Sequence, residues 1–261
     1  MVESRKKNPV LIDPIGGECL DRILSFLPKD RYQQSLNQKL PSSLTQYLAL
    51  RARKYDMLTR EYLKENPGGL VVNLGCGFDT RFWRVADQKM NYVEVDLPEV
   101  IEAKKEILGD LITYTVIGSS VFDEAWISRV ASFRTEGVLF LAEGLFMYLP
   151  KEEVITTFKK ISGTFTNSYM VFEVVHEKYT HGVWKKMLER KMKRSLGSSA
   201  GASYSYGIKA AREIEKYHNR IKVTGEWSYF EDMDLKPSIL RLFRYLKYVS
   251  RTQWTISAKI G

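Results

Sequence analysis

The feature that most constrains this chain is an apolar segment that leads directly into a glycine turn. Residues 71–80 have the sequence Val-Val-Asn-Leu-Gly-Cys-Gly-Phe-Asp-Thr, with Gly75 and Gly77 where a strand would give way to a helix. Glycine at such a turn tolerates positive φ and lets a ligand approach the backbone closely. This pattern is typical of a ligand-binding turn in an α/β protein, but purely structural turns also use glycine.

Short apolar segments alternate with helical segments after the glycine turn. The predicted strands span residues 70–74, 92–95, 112–117, 138–142 and 169–175. The predicted helices between them begin near residues 78, 98, 123 and 151. Such alternation favours a parallel sheet covered on both faces. Two later segments, 221–227 and 249–259, flank a predicted helix near 237–248 and are expected to close the sheet as an antiparallel pair.

The first third of the chain is predicted to be helical. Residues 17–27 carry apolar side chains at helical spacing, and a longer helix is predicted from about Ser43 to Glu65. Arg51 lies in the middle of the apolar stripe of the longer helix. A buried cation needs a partner, and both a ligand carboxylate and an acidic side chain of the protein satisfy that need.

Residues 176–207 belong to neither pattern. They carry seven basic and two acidic side chains, and their second part, from Ser195, consists mainly of small residues. We expect a basic insertion that forms a mobile lid between the fifth and sixth strands. The chain is predicted to be one domain with four parts: a helical cap, a ligand-binding core, the lid-like insertion and the closing strands, at residues 1–66, 67–175, 176–218 and 219–261.

The net charge, the cysteines and histidines, and the lengths of the apolar runs limit which partners and which metal or disulfide sites are expected. Forty basic against thirty-one acidic side chains give a net charge of +9, which suits nucleic acid, a membrane surface or an anionic substrate. Cys19, Cys76 and three histidines show no disulfide framework and no metal-ligand spacing, so no metal is expected. No run of about 18 apolar residues and no signal peptide is found. We therefore expect a cytoplasmic protein without a membrane partner.

Further candidate ligand-binding residues follow the other predicted strands. Asp96 follows the second strand, where a carboxylate accepts hydrogen bonds from both hydroxyls of a ribose or caps the next helix. Ser120 and Val121 follow the third strand, and Glu143 follows the fourth. Glu143 is suited to receive an ammonium group, to act as a base, or to bind local backbone. Thr80 stands where a dinucleotide fingerprint has glycine or alanine, which weakens a nicotinamide or flavin interpretation.

Four motifs together resemble the leucine carboxyl methyltransferase family, including its branch related to the tetracenomycin polyketide O-methyltransferase. They are Leu-Arg-Ala-Arg-Lys-Tyr-Asp at 50–56, Asn-Leu-Gly-Cys-Gly-Phe-Asp-Thr-Arg-Phe-Trp-Arg at 73–84, Glu-Val-Asp-Leu-Pro at 94–98 and Ala-Glu-Gly-Leu-Phe-Met-Tyr-Leu at 142–149. The resemblance covers about residues 40–175. It implies a class I S-adenosylmethionine-dependent methyltransferase fold with a seven-stranded, mostly parallel sheet, and S-adenosyl-L-methionine as cofactor.

The resemblance also implies roles for individual residues. Arg51 would bind the methionine carboxylate of the cofactor, Asp96 would hold the ribose, and Glu143 would lie beside the methionine end. Gly75 would line the methionine portion, and Gly77 is a further candidate cofactor-binding residue.

Two positions depart from the family pattern. Ser120 and Val121 replace an Asp-Leu pair at the adenine, which removes an ionised acceptor and leaves nearby Asp123 as a substitute. The segment around Asp13 and Pro14 matches only loosely, so a family lysine contact is unassigned.

The leading hypothesis is methyl transfer to a carboxylate or hydroxyl oxygen of a small-molecule or peptide acceptor. A carboxylate requires no base, whereas a hydroxyl does, and Glu143, Tyr148 or Tyr204 would then serve. One alternative is an RNA- or protein-modifying methyltransferase that docks a large anionic partner on the basic insertion. Another is a catalytically silent nucleic-acid-binding module. Nucleic acid is the less favoured partner, and the sequence indicates neither the acceptor nor the oligomeric state.

Overall fold

The computed structural model describes residues 7–28, 41–85, 90–196 and 203–261, which contain a seven-stranded sheet. Its strands are β1 (Leu70–Leu74), β2 (Asn91–Asp96), β3 (Thr115–Gly118), β4 (Val138–Ala142), β5 (Ser168–Val175), β6 (Lys222–Trp227) and β7 (Gln253–Lys259). Their order across the sheet is β3-β2-β1-β4-β5-β7-β6. The first five are parallel, and β7 is antiparallel to both β5 and β6. The predicted mostly parallel sheet with an antiparallel closing pair is confirmed.

Helices of very different lengths surround the sheet. They are α1 (Pro14–Ser25), α2 (Ser42–Glu65), α3 (Arg81–Val85), α4 (Pro98–Leu108), α5 (Glu124–Ala131), α6 (Lys151–Thr164), α7 (Gly182–Leu196) and α8 (Lys247–Ser250). Short 3₁₀ helices span Gly109–Leu111, Phe146–Tyr148, Glu177–Thr180, Ala211–Lys216, Tyr229–Glu231 and Ser238–Tyr245. Proline opens α1 and α4, where its missing N–H has no intrahelical partner to lose.

Both faces of the sheet are covered. On one face, Tyr55 and Tyr62 of α2 pack against residues of β1 and β4, including Val71 and Leu139. On the other face, Trp126 of α5 and Phe158 of α6 pack against apolar side chains of the central strands. Every residue of β1 and β4 is buried. This burial explains why these strands are continuous apolar runs rather than alternating patterns.

Several predicted boundaries were wrong, each for a local reason. The strand expected from residue 112 begins at Thr115 because Gly109–Leu111 forms a 3₁₀ turn first. The helix expected near Phe78 begins at Arg81, since a turn closed by Asp79 N–H and Cys76 O (2.9 Å) precedes it.

The other two differences lie at the ends of the chain. The strand expected from residue 249 begins at Gln253, because α8 occupies Lys247–Ser250. The first helix begins at Pro14, not at Gly17, since the Asp13 carboxylate accepts a hydrogen bond from Gly16 N–H (2.8 Å) and so caps it.

The predicted lid region contains two different kinds of structure. Residues 182–196 form α7, whereas Tyr204, Tyr206 and Ile208 are buried, and Ile208 bridges to His176 beside the sheet. Residues 197–202 of the predicted lid lie outside the described residues. A lid function of residues 176–218 therefore stays a prediction.

Two further expectations concern cysteines and membrane spans. Cys19 and Cys76 are both buried and free. Within the described parts of the chain, every helix is too short or too polar to cross a bilayer.

Candidate active site

The crevice that follows β1 and β4 contains three glycines with positive φ. Gly75 and Gly77 have φ of 61° and 48°, and Gly144, directly after β4, has φ of 66°. The order of the strands reverses between β1 and β4, which is where ligands bind in open α/β sheets. A Cβ on Gly77 would meet no atom within 4 Å, whereas a Cβ on Gly75 would lie 2.7 Å from a methyl carbon of Leu145. The backbone at Gly77 thus borders open space.

Asp96 joins the tip of β2 to the glycine turn. Its Oδ2 accepts a hydrogen bond from Gly77 N–H (2.6 Å), and its Oδ1 accepts one from Leu97 N–H (2.8 Å). A carboxylate has about four lone-pair positions, so both oxygens retain capacity for further donors. The side chain is half-buried and therefore remains within reach of a ligand in the crevice.

Arg51 lies between two glutamates. Its Nε donates to Glu143 Oε1 (2.8 Å), and its Nη1 donates to Glu173 Oε2 (2.7 Å). Tyr47, one turn earlier on α2, donates its hydroxyl to Glu173 as well. The buried cation of Arg51 is therefore paired with acidic side chains of the protein itself, which is one of the two kinds of partner expected from the sequence. Glu173 lies outside the four sequence motifs, although it is the only acidic residue within the apolar run 169–175.

Arg81 and Arg84 anchor the glycine turn to the helical cap. Arg81 is fully buried, and its Nε lies 2.9 Å from Asp56 Oδ1 while its Nη1 lies 2.5 Å from Asp79 Oδ2. Its Nη2 forms an ion pair with Glu143. Arg84 adds a second link to Asp56, with Nε 2.7 Å from Oδ2. This network holds Glu143 in place and explains the acidic and basic positions of the motif at 79–84.

The N-terminal helix joins the same network through Asp13. Its Oδ2 accepts hydrogen bonds from Arg84 Nη1 (2.9 Å) and from the hydroxyl of Thr80 (2.6 Å). The loosely matching segment around Asp13 thus closes the ion-pair network beside the glycine turn.

The family model for leucine carboxyl methyltransferase matches residues 3–162, which is more than half of the chain. The chain belongs to the leucine carboxyl methyltransferase family. It is therefore a methyltransferase, and S-adenosylmethionine is its methyl donor. The motifs that build the crevice all lie within the matched residues.

Two relatives match this methyltransferase over most of its length. The tetracenomycin polyketide synthesis O-methyltransferase TcmP of Streptomyces glaucescens is 26% identical over 231 residues, covering 88% of this chain and 79% of that protein. The S-adenosyl-L-methionine-dependent methyltransferase dpfgK of Gibberella zeae is 25% identical over 243 residues, covering 87% and 79%.

Solved structures support the class I fold. The plantazolicin methyltransferase BamL, crystallised with S-adenosylhomocysteine (SAH), aligns with a TM-score of 0.54 at 14% identity, over 94% of this chain and 97% of that one. An S-adenosylmethionine-dependent methyltransferase from Clostridium acetobutylicum aligns with a TM-score of 0.50 at 12% identity, over 80% and 92%. At these identities the likeness shows the fold alone.

The residues of the crevice fit the polar groups of S-adenosylmethionine. An arginine between two carboxylates suits the zwitterionic methionine end, since it offers a cation for the carboxylate and anions for the ammonium. Asp96 has unused acceptor capacity at the tip of β2, and the open space at Gly77 admits a ligand next to the backbone.

The segment expected at the adenine lies just after β3. Asp123 Oδ2 accepts from Ser120 N–H and from the Ser119 hydroxyl, each at 3.2 Å. Val121 is partly buried against the core. Asp123 therefore places a carboxylate beside the Ser120-Val121 pair.

The two glutamates beside Arg51 differ in their electrostatics. Burial raises the pKa of Glu143, but the adjacent Arg51 and Arg81 outweigh it, and the resulting pKa is below the usual value. Burial also raises the pKa of Glu173, and Arg51 and the Tyr47 hydroxyl only partly offset it, so its pKa stays above the usual value. Glu143 is thus a stable anion and a weak base at neutral pH.

Tyr148, shortly after β4, and Tyr204 face each other, and both lie within electrostatic range of Glu173. Their ring centroids are 5.4 Å apart. Burial is the main cause of the raised pKa of both phenols, and the negative charge of Glu173 adds to it. Since an ordinary tyrosine has a pKa near 10, both hydroxyls stay protonated at neutral pH.

Proposed function

We propose that this methyltransferase transfers the methyl group to a carboxylate oxygen of a small-molecule or peptide acceptor. The observation that supports this proposal is the protonation state of the crevice. Glu143 is ion-paired to two arginines and its pKa is lowered, while the pKa values of Tyr148 and Tyr204 are raised. None of these three side chains is a good base at neutral pH. A carboxylate acceptor is already ionised and needs none.

Methyl transfer forms one bond and breaks one bond. The sulfonium supplies an electrophilic methyl group, so the acceptor oxygen forms a bond to carbon as the carbon–sulfur bond breaks and its electron pair returns to sulfur. The protein's task is to align the oxygen with that methyl group, at about 3 to 3.5 Å. In this proposal Tyr148 and Tyr204 donate hydrogen bonds to the acceptor carboxylate, since both retain their protons at neutral pH.

Each predicted cofactor-binding residue has a proposed role consistent with its place. Arg51 binds the methionine carboxylate and Glu143 binds the ammonium, each from its place in the ion-pair network. Asp96 accepts hydrogen bonds from the ribose hydroxyls. Gly75 and Gly77 let the methionine portion approach the backbone.

The proposed adenine contacts come from the segment after β3. Val121 packs against the adenine ring, and Ser120, with Asp123 behind it, accepts from the adenine amino group.

Calorimetric titration with SAH tests the cofactor roles. Asp96→Asn keeps the volume of the side chain and removes its charge, and we expect it to weaken binding about 10- to 100-fold, as for loss of a hydrogen bond to a charged group. Asp110→Asn is the matched control, because Asp110 lies on the surface in an ion pair with Arg22. Equal affinities of wild type and Asp96→Asn would refute the ribose role.

The acceptor class is tested with methyl-labelled cofactor and a metabolite extract. Labelled products are separated by size and then treated with mild alkali. Methyl esters release volatile labelled methanol under this treatment, whereas methyl ethers do not. Release of label as methanol would support carboxylate methylation. Alkali-stable label would refute carboxylate methylation, and a hydroxyl acceptor would then need Glu143, Tyr148 or Tyr204 as the base.

A further inference from the structure

The 3₁₀ helix Ser238–Tyr245 has an outward row of apolar side chains. In a 3₁₀ helix, residues three positions apart lie in line. Leu240 and Phe243 form the inward row, which packs against the cluster around Phe230. The next row consists of Ile239, Leu242 and Tyr245, whose exposed fractions are 65%, 58% and 68%.

The apolar surface continues from this helix onto α8 and α7. Tyr248 of α8 is 59% exposed, and Trp184 of α7 is 45% exposed. Both rings contact the same ammonium group, since Lys178 Nζ lies 3.1 Å from the ring centroid of Tyr248 and 5.5 Å from that of Trp184. We call this surface the outer face; it comprises Ile239, Leu242, Tyr245, Leu246, Tyr248, Val183, Trp184 and Met187. Single exposed apolar residues are ordinary, but several on neighbouring segments indicate an interaction site.

Basic residues border the outer face. Residues 236–251 contain five of them and no acidic residue. Arg241 and Arg244 occupy the row of the 3₁₀ helix beside the apolar one, and Arg244 lies over the ring of Tyr245 at 4.7 Å. Lys185 and Lys186 add positive charge from α7. Two copies of this surface would place like charges against each other, which disfavours a symmetric dimer.

The outer face lies at the same edge of the sheet as the crevice. Gln253, the first residue of β7, pairs with Val175, the last residue of β5. The segment that precedes β7 therefore sits where the parallel strands end. A partner bound to the outer face is placed beside the opening of the crevice.

We propose that the outer face docks the protein on an anionic lipid bilayer. Exposed aliphatic and aromatic side chains flanked by arginine and lysine are the combination that binds the interface of an anionic membrane. This proposal does not depend on the identity of the methyl acceptor. The expectation of no membrane partner rested on the lack of a membrane-spanning run. Binding of a folded protein to the membrane surface needs no such run, so this proposal revises that expectation.

Vesicle flotation tests the proposal. The protein is mixed with vesicles of phosphatidylglycerol and phosphatidylcholine, or of phosphatidylcholine alone, at low and high salt. We expect binding to the anionic vesicles only, weakened by salt. The double variant Arg241→Gln/Arg244→Gln should bind roughly 25-fold more weakly, at about fivefold for each cation removed. Leu242→Ser should also reduce binding several-fold.

Matched controls come from the opposite side of the molecule. Phe26, at the end of α1, is exposed like Leu242, and Arg129 of α5 is exposed like Arg244. Phe26→Ser and Arg129→Gln should leave vesicle binding unchanged, and all variants should keep the wild-type affinity for SAH.

Three outcomes would overturn the proposal. One is equal binding of wild type to neutral and anionic vesicles, or to neither. Another is equal loss of binding in the controls and in the outer-face variants. The third is a concentration-dependent dimer, measured by light scattering, that Leu242→Ser abolishes, which would assign the outer face to a second copy.

Discussion

Arg51 and Glu173 form a buried ion pair that joins α2 to the last parallel strand, with Nη1 2.7 Å from Oε2. The Glu173 side chain is 1% exposed, so its charge depends on Arg51 and on the Tyr47 hydroxyl for compensation. Glu143 contacts the same guanidinium from the neighbouring strand. One cation therefore stabilises two carboxylates at the proposed methionine site, and its removal has consequences for both stability and binding.

We expect Arg51→Met to lower the free energy of unfolding by about 3 to 5 kcal/mol at neutral pH, because it leaves buried carboxylates without their cation. Burial already holds the pKa of Glu173 above its usual value, and loss of Arg51, which opposes that shift, raises this pKa further. Such a group favours folding when protonated, so the deficit should shrink as the pH falls from 8 towards 5. Urea unfolding at several pH values measures this dependence.

Arg53→Met is the control for that experiment. Arg53 lies on the same helix and pairs with Asp232 and the exposed Asp234 near the surface. Surface pairs contribute at most about 1 kcal/mol, so this variant should lose little stability and show no such pH dependence. If Arg51→Met loses the same free energy of unfolding relative to wild type at pH 5 as at pH 8, the predicted protonation of the buried carboxylates is wrong.

The two glycines of the turn should respond differently to alanine. In Gly77→Ala the new methyl group enters open space, so its main effect on folding is left-handed backbone strain of about 1 to 2 kcal/mol. If the cofactor occupies that space, the affinity for SAH should fall by far more than the stability does. Gly75→Ala adds a clash with Leu145 and should lose stability in addition. Thermal unfolding and calorimetry on both variants separate the two effects.

Tyr148→Phe distinguishes a positioning role from a base. If the acceptor is a carboxylate, removing the hydroxyl should raise KM several-fold and change kcat less than about threefold, since loss of a general base costs about 10²- to 10⁴-fold. Steady-state kinetics with the acceptor identified by labelling provide the test. A loss of kcat of a hundredfold or more, together with a kcat that rises with pH in the wild type, would indicate that Tyr148 acts as the base.

The centre of the sheet was predictable because β1 and β4 are buried along their whole length and therefore stand out as apolar runs. Val138–Ala142 matched the prediction residue for residue. Boundaries failed where a short turn preceded an element, as at Thr115 and Gln253. Such turns depend on local hydrogen bonds that leave little trace in an apolar pattern.

The site was only partly predictable, for a different reason. Arg51, Asp96 and Glu143 lie in recognisable motifs, whereas Glu173 becomes a neighbour of Arg51 and Tyr47 only through the order of the strands and the packing of α2. A charged residue within an apolar strand was the available signal for Glu173. Long-range ion pairs of this kind require the tertiary arrangement before they can be assigned.

Glu94 of β2 is a buried carboxyl group whose negative charge is only partly compensated by its neighbours. Its Oε2 lies 2.7 Å from Lys104 Nζ, but its Oε1 has no hydrogen-bond partner among the residues that the structure describes. Burial raises its pKa to about 7, and Lys104 only partly opposes the shift. The folded protein therefore holds a proton on Glu94 that the unfolded chain releases near pH 4.5.

Stability should consequently decline as the pH rises from about 4.5 to 7, by about 3 kcal/mol in total from this group. Glu94→Gln removes the titrating group. The free energy of unfolding of the variant, measured relative to that of the wild type, should therefore rise as the pH rises through this range, even if the substitution itself lowers stability by a constant amount. The control Glu102→Gln, on the exposed side of α4, should track the wild type. Urea unfolding at intervals between pH 5 and 7.5 measures this difference. If the free energies of unfolding of wild type and Glu94→Gln change in parallel with pH, Glu94 is already ionised throughout and the prediction is wrong.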